Sequence, residues 1–488
     1  MKTFSRISIS LLLLVGFGGL STISQASETR VDAAGGLGTI LTDETNDLSL
    51  FLDGNPAGLP LLNSRSRVDL SAHWFNFDLE GPWGVNRQQG FNSLSSPGDS
   101  PVRYEGLMFF PSSQWGFQIS GDISSLRGEP DANFLNDNKT ASQYRGLLRA
   151  AYALSFGSFG LEMMNTQRDQ KFDPGAYTPL LNLSSGSSVE NQMLAKAGVA
   201  ATFPSPAPAD DPRWQAGAFF VFPLGVNLQN QGMNFMDGGG ASYPVTQTIT
   251  LTHFNLSQVE LLYEVPASLK IRFSASLENT SSDFEQTVPA PSVYFNNQAR
   301  FHSTDVQSLS LEGSFRYSLF FREDENLKLG GSLGLVLDNT NLFTAPGSAP
   351  NPFNQQQLNS VFGIGLEEGK EYTMGVQWKS RSYLPGSQLI TGGGSPLNRD
   401  HDLYQLSLGG EKWMSAAWAL RLGLTLQQDI FNPGNLNTLT TTINVGSGLE
   451  RVFGRIDLRL SLGQTIDMGN SNNTAGVLGA QLSTTIFL

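Results

Sequence analysis

Apolar and polar residues alternate along stretch after stretch of the chain, and the alternation runs to its last residue. In segment 477–488, Leu478, Ala480, Leu482, Thr484, Ile486 and Leu488 interleave with Val477, Gly479, Gln481, Ser483, Thr485 and Phe487. Successive side chains of a strand point to opposite faces, so this spacing predicts ribbons with one apolar and one mixed face. Around 455–466, Ile456, Leu458, Leu460 and Leu462 share one phase, against Arg455, Asp457, Arg459, Ser461 and Gly463 in the other. At 416–428 Trp418, Leu420, Leu422, Leu424 and Leu426 oppose Ala419, Arg421, Gly423, Thr425 and Gln427. Segments 403–412, 371–381, 327–337 and 308–321 sort in the same way, and one face excludes charge throughout.

In the N-terminal half, candidate strands lie near 66–79, 101–111, 113–126, 144–156, 158–167, 191–203, 213–222, 246–263 and 268–278. Loops rich in Gly, Pro, Asn and Ser separate them, among them 81–100, 128–142, 173–190, 204–212, 229–244, 283–303, 340–356, 384–400 and 432–437.

An apolar face can pack on a second sheet in water or face lipid in a closed barrel. The start of the chain favours lipid. Residues 1–26 carry Lys2 and Arg6, an apolar run from Leu11 through Val15 to Leu20, and small residues at Ser24 and Ala26. This is the layout of a secretory signal, too short to span a bilayer, with cleavage expected after Ala26. No later run approaches the roughly 18 apolar residues of a transmembrane helix. A barrel dilutes its lipid-facing residues with lumenal ones, which suits a mean hydropathy of −0.16. A soluble sandwich would also alternate, but its strands are usually shorter and its exposed face richer in Lys and Glu. Here Trp74, Tyr104, Trp115, Tyr152, Tyr317, Tyr372, Trp378, Tyr404 and Trp418 fall near strand ends, where an interfacial girdle needs them. The expectation is an all-β, transmembrane antiparallel barrel over residues 63–488, located in the outer membrane. Barrels of this class have an even number of strands. Taking some short segments as loop hairpins gives about 14 strands (14–16).

Composition removes several functions. The chain has no cysteine, so disulfides and thiolate metal sites are out of reach. A net charge of −13 argues against nucleic acid, which needs concentrated Lys and Arg. The four histidines, His73, His253, His302 and His401, stand at no metal-ligand spacing, and neither metal nor cofactor is expected. Asp131, Asn133, Asn136, Asp137 and Asn138 lack the glycine and terminal Glu of a calcium loop and read as a solvated loop. Gly330-Gly331-Ser332-Leu333-Gly334 has the spacing of a hydrolase nucleophile, but leucines continue the strand on both sides where a sharp turn would be required. No enzyme is expected.

Residues 27–62 leave the alternating scheme. They hold a Gly-Gly-Leu-Gly stretch at 35–38, then Leu48, Leu50, Phe51 and Leu52, and then Asn55, Pro56, Ala57, Gly58 and Leu59. An apolar, turn-rich segment just ahead of a barrel is better placed folded in the lumen than loose in water, so 27–62 is expected to be a plug, with Leu48, Leu50, Phe51, Asn55, Pro56, Ala57 and Gly58 at its heart. The sequence Asn55-Pro56-Ala57-Gly58-Leu59, ahead of a first strand with Val68, Leu70 and Trp74, resembles the N-terminal signature of FadL/TodX-type outer-membrane transporters. It also resembles the start of PorV-type barrels of the wider superfamily. The resemblance implies a fourteen-stranded barrel with a lumenal hatch, and hydrophobic compounds that leave sideways through a gap at a kinked strand. Gly121-Asp122 would be the kink. The ending Phe487-Leu488 departs from the outward-phased terminal aromatic usual in such barrels.

The inward phase carries the remaining candidates. Arg316, Lys379, Arg381, Arg421 and Arg459 could hold the carboxylate of an amphipathic ligand, which Arg does bidentately. Together with Arg455 they could equally pair with Glu312, Glu411 and Asp457 to brace the lumen. The expected function is a channel or transporter for hydrophobic or amphipathic small molecules of the fatty-acid or hydrocarbon type. A PorV-like scaffold for secreted or surface proteins and a general porin are the alternatives. The expected partners are outer-membrane lipid, a hydrophobic small-molecule ligand and, during biogenesis, the barrel-assembly machinery, with the protein itself a monomer.

Overall fold

The computed structural model describes residues 33–35, 37, 55–61, 66–76, 102–112, 114–128, 137–174, 183–203, 211–224, 228–236, 242–265, 268–287, 300–322, 325–343, 351–369, 371–384, 388–390, 396–398, 400–432, 436–468 and 474–488. The alternating segments are strands: β1 (Arg67–Asn76), β2 (Val102–Pro111), β3 (Trp115–Gly128), β4 (Asp137–Leu154), β5 (Gly157–Pro174), β6 (Leu183–Phe203) and β7 (Arg213–Pro223). Then come β8 (Leu228–Met236), β9 (Ser242–Val265), β10 (Leu269–Thr287), β11 (Arg300–Arg322), β12 (Glu325–Phe343), β13 (Asn351–Glu368) and β14 (Tyr372–Tyr383). After a small hairpin of β15 (Gln388–Ile390) and β16 (Pro396–Asn398), the sheet resumes with β17 (Asp400–Ser415), β18 (Trp418–Asn432), β19 (Leu436–Arg451), β20 (Gly454–Asp467) and β21 (Thr474–Phe487). One short 3-10 helix, η1 (Pro56–Leu61), precedes β1.

Each strand pairs antiparallel with its neighbours, and β1 pairs with β21 from Arg67↔Phe487 to Asn76↔Leu478, so the sheet closes on itself. At the seam the Leu488 N–H donates to the Ser66 carbonyl at 2.9 Å. Inside it, the Thr485 hydroxyl donates to Asp69 at 2.6 Å, and Asp69 accepts from Arg67 at 2.8 Å. The sheet has nineteen strands. Because β7 and β8 share one position between β6 and β9, they form eighteen staves.

The barrel therefore has eighteen staves, which corrects the expected count of about 14. Two staves were invisible to the alternation. β13 opens inside the presumed loop 340–356 with Asn351-Pro352-Phe353-Asn354 and three glutamines, and its outward apolar run is only Phe362, Ile364 and Leu366. β19 is built of Thr, Asn, Gly and Ser, with only Ile443, Val445 and Leu449 as large exposed apolar residues. The short segments suspected of being loop hairpins are staves as well.

Connections at the end holding the barrel's two terminal strand ends are mostly tight, such as 155–156, 323–324, 416–417 and 452–453. The other end carries 77–101, 288–299 and 384–399. Short turns mark the periplasmic side of such a barrel and long loops the outer side. Eighteen strands about 4.8 Å apart, tilted by about 40°, enclose a cylinder about 36 Å across.

The two phases separate as their chemistry requires. Ile456, Leu458, Leu460 and Leu462 of β20 are exposed on the outside, while Asp457 and Ser461 are buried within. Aromatics ring both edges of the apolar belt. Trp115, Tyr152, Trp214 and Trp418 stand near the turn end, with Trp115 and Tyr152 ring centroids 4.5 Å apart, and Tyr104 and Tyr144 stand near the other end. From Trp115 to the Tyr104 level is about eight residues, about 27 Å of strand and about 21 Å along the barrel axis, close to the apolar height of about 25 Å usual for this class. The molecule is an outer-membrane-type transmembrane β-barrel.

Replacing Leu460, outside and near mid-belt, by Arg is expected to cost about 2–4 kcal/mol of stability. Folding titrations into lipid vesicles, read by heat-modifiable gel migration, would measure this. A Leu460→Arg protein as stable as the parent would mean that this face does not meet lipid.

Candidate functional site

Two short pieces of the segment ahead of β1 lie against the inner wall on opposite sides. η1 touches staves from β3 to β7, and residues 33–35 touch β17–β19. Asn55 organises the first contact. Its side-chain oxygen accepts the Ala57 N–H at 3.0 Å, the capping role that suits Asn, with Pro56 at the first helical position, where no N–H is needed. Its amide donates to the Val199 carbonyl of β6 at 3.1 Å, and the Ser158 hydroxyl donates to the Ala57 carbonyl at 2.5 Å. Ala57 and Leu59 pack with Leu107, Phe109, Ala151, Ala200 and Leu262 of the inner wall. The wall makes room with glycine. A Cβ at Gly116 would lie 2.6 Å from Leu59 Cβ and one at Gly217 2.6 Å from Asn55 Nδ2, while at Gly160 and Gly198 it would overlap Pro56–Ala57 and Asn55 outright.

The second contact is built alike. Ala33, Ala34 and Gly35 rest on Gly409, Gly423 and Gly446, where any Cβ would overlap them. Gly35 has φ +86°, open to glycine and strained for other residues. The Thr425 hydroxyl donates to its carbonyl at 3.4 Å. Turn-ward of this contact, Arg421 bridges Glu411 at 2.6 Å and Asp457 at 2.5 Å, and Asp457 also takes Arg455 at 2.6 Å. Arg421 and both carboxylates are fully buried. Gly448 leaves the space they need, since a Cβ there would come within 2.7 Å of both Arg421 and Asp457.

Above η1 the wall is layered. Successive inward residues are Gly160, Glu162 and Met164 on β5, opposite Gly198, Lys196 and Leu194 on β6, while on β7 Gly217 stands opposite Ala200, Phe219 opposite Gly198 and Val221 opposite Lys196. The layers follow at about 7 Å, two residues of strand. The first receives η1. The second is charged: Glu162 pairs with Arg149 and, at 3.2 Å, with Lys196, Arg149 reaches Gln118 at 3.4 Å, and the Lys196 ammonium lies 4.8 Å from the Phe219 ring centroid. Arg272 and Glu260, 3.6 Å apart, continue this belt onto β9 and β10. The third layer on β5 and β6 is apolar, and Met164 and Leu194 there join Phe219, Val221 and Leu256, which stand beside the charged pair, in one cluster with Phe254 packed against it.

Beside that cluster the pairing changes register, although the Leu224 N–H still donates to the Met193 carbonyl at 2.9 Å. β7 ends at Pro223, which has no N–H for the ladder, and β8 begins at Leu228. Along β6 the pairing passes from Leu194↔Pro223 to Asn191↔Leu228, two residues out of step. On the far side β9 carries a bulge at Thr252, whose hydroxyl donates to the Ser281 carbonyl at 3.1 Å. The irregularity expected at Gly121-Asp122 is not there: β3 pairs without a register shift through Gly106↔Gly121↔Gly146.

The five basic residues expected to hold a ligand do not converge. Arg316 is on β11, Lys379 and Arg381 on β14, Arg421 on β18 and Arg459 on β20. Arg421 lies in the ion-pair network, and Arg459 donates to Asn444 at 3.1 Å and Gln481 at 3.3 Å. Ser332 sits in unbroken ladder between Ser314 and Val361, with no elbow. Residues 1–26, the plug residues Leu48, Leu50 and Phe51, and the side chains of His73, His302 and His401 lie outside the described residues. Of the expected plug residues, Asn55, Pro56, Ala57 and Gly58 fall in or beside η1. The apolar cluster had a signal in the sequence: Ala218-Phe219-Phe220-Val221-Phe222 is apolar in both phases, which lipid on one side alone does not require.

No family model and no curated protein matches the chain. Solved structures do. The CymD monoaromatic hydrocarbon channel is 12% identical with a TM-score of 0.40, over 97% of this chain and 99% of its own. A deltaS2S3 mutant of the TodX monoaromatic hydrocarbon channel is 12% identical with a TM-score of 0.41, over 94% and 98%. The ferric yersiniabactin uptake receptor FyuA from Yersinia pestis is 8% identical with a TM-score of 0.45, over 87% and 80%. The chain is similar to FadL/TodX-type channels. At these scores the likeness carries no argument about substrate, and the site's chemistry has to be read from its own residues.

The absence of cysteine makes single-site labelling clean. With Ala57→Cys as reporter, adding Gly198→Val is expected to speed labelling by a membrane-impermeant maleimide about tenfold or more, because the new side chain overlaps Asn55 and displaces η1 by more than about 1.4 kcal/mol. Equal rates in the two backgrounds would mean that the glycine cradle does not hold η1.

Proposed function

We propose that the protein is a FadL-like outer-membrane channel for hydrophobic or amphipathic small molecules, with the segment 27–62 as its lumenal plug. One observation carries the reading: an apolar cluster faces the lumen beside the register change between β7 and β8, next to the charged belt and on the long-loop side of η1. A wall built only to be filled with water or braced by ion pairs gains nothing from Met164, Phe219, Val221 and Phe254 turned inward. A ligand pathway does, because apolar atoms removed from water there contribute about 25 cal/mol per Å². The solute enters from the long-loop side, rests on the cluster and leaves through the wall between β7 and β8. Glu162, held between Arg149 and Lys196, makes a charged belt beside it that discourages passage straight down.

Proteoliposomes loaded through the protein with a radiolabelled long-chain fatty acid or with toluene would test this and distinguish the two ligand types. Val221→Glu, checked for folding by heat-modifiable migration, is expected to lower uptake at least about tenfold, since a carboxylate set into the apolar cluster costs more than about 1.4 kcal/mol. Unchanged uptake of both probes would overturn the reading. Loss of surface-protein partners without loss of uptake on deleting residues 27–62 would favour a scaffold, and large ion-conducting steps from the intact protein a porin.

A further inference from the structure

The outside of the barrel is not uniformly smooth. A groove of about 860 Å³ runs across β12–β19 toward the turn end, and its walls are Met374, Val376, Leu408, Leu420, Leu422 and Val445. All six belong to the lipid-facing phase. Gly410 lies in the groove's floor, alternating with exposed Leu408 and Lys412 between Met374 and Leu422 of the flanking strands, and no side chain rises there because a Cβ would lie 2.4 Å from the Thr373 carbonyl oxygen.

The turn-ward end of the groove is polar. Lys412 is exposed there, level with Tyr372 on β14, three residues short of the end of β17 at Ser415 and beside the Trp418 girdle position. Among the described residues Lys412 makes no ion pair. Glu368, exposed on the same face, is level with Tyr372 on its other side. From Lys412 to Leu408 the groove follows about 13 Å of strand, about 10 Å along the barrel axis and so about two-thirds of the roughly 15 Å depth of one leaflet. A cation at the interface, a carboxylate two strands away and an apolar slot rising into the hydrocarbon complement one molecule: a phosphate and an amine on top of an acyl chain.

We propose that this groove is a binding site for a glycerophospholipid of the periplasmic leaflet. Its phosphate pairs with Lys412, its headgroup amine lies toward Glu368, and an acyl chain occupies the slot over Gly410. Lysine delivers its charge to the headgroup level on an apolar stem, as interfacial lysines do. The site is on the opposite side of the wall from the lumen and does not depend on what the lumen carries.

Native mass spectrometry of the detergent-extracted full chain would test it, with palmitoyl-oleoyl phosphatidylethanolamine added back after delipidation. The parent is expected to retain one phospholipid per chain. Lys412→Glu should lower the lipid-bound population at least about fivefold, the effect of one basic residue at a bilayer surface. Val376→Trp, which fills the slot with a lipid-compatible side chain and leaves the interior untouched, should lower it similarly. Heat-modifiable migration confirms that both variants fold. Lipid retention that is the same in the parent and both variants overturns the proposal. So does a dimer that Val376→Trp dissociates, since a second copy would then occupy the groove.

Discussion

Hydrocarbon offers no hydrogen-bond partner, so every peptide group that crosses it must be satisfied by the chain itself. A sheet meets that demand only if it has no edge. The seam between β1 and β21 is therefore the contact on which the remaining structure depends: without it Arg67–Asn76 and Thr474–Phe487 would each face lipid with an unpaired row. Closure also fixes what is left over. Eighteen staves enclose a space about 36 Å across, too wide for wall side chains to fill. The interior has to be occupied by water, by charges that settle one another or by more of the chain.

The inner wall uses the last two on the same strands. Glycines at Gly160, Gly198 and Gly217 bring the backbone of η1 against the wall, and two residues on, Glu162 and Lys196 turn inward with Arg149. Across the barrel Gly409, Gly423 and Gly446 take residues 33–35, next to Arg421 with its two carboxylates. Removing one partner from such a buried pair typically costs about 3–5 kcal/mol, because the other charge is left desolvated and alone. The pairs consequently fix register as well as filling space. Each links adjacent or next-adjacent strands at one level, so a slip by one residue would turn the glycine cradle and the charges toward lipid together.

This arrangement explains how much could be read in advance. Where lipid faces one side and paired charge the other, as on β20 with Leu458 and Leu460 against Asp457 and Arg459, the period of two is unmistakable and gives the barrel, its outward face and its aromatic girdle. The count of about 14 failed where the lipid-facing requirement is met by few residues. β19 crosses mostly on Thr, Ser and Gly, and β13 begins as an Asn- and Gln-rich extension beyond the apolar belt. The segment around Asn55 stood out in the sequence because it leaves the period of two and is apolar and turn-rich. The cradle did not, since an inward glycine in a strand reads as a weak strand until its partner, hundreds of residues away for Thr425 and Gly35, is known. Basic residues such as Arg316 and Arg421 share a phase without sharing a place, and phase alone holds no information about which staves lie together.

The break in alternation at 218–223 joins two features that the proposed pathway would account for together. A strand apolar on both faces is unusual in a barrel with a charged lumen, and so is a two-residue change of register just past a proline in the wall. If a hydrophobic solute rests on Phe219 and Val221, its possible exits differ in cost. Going down takes it past Arg149, Glu162 and Lys196, through the layer occupied by η1 and into water; a solute with about 200 Å² of apolar surface would give up about 5 kcal/mol at the end. Going sideways between Pro223 and Leu228 takes it from one apolar surface to another, the bilayer interior. That difference corresponds to more than a thousandfold in the equilibrium between the two destinations, and a lateral route could use it only where the inward apolar cluster adjoins the register change. Either feature alone would be an oddity of packing; side by side, under the proposed function, they would let solvation set the direction of passage.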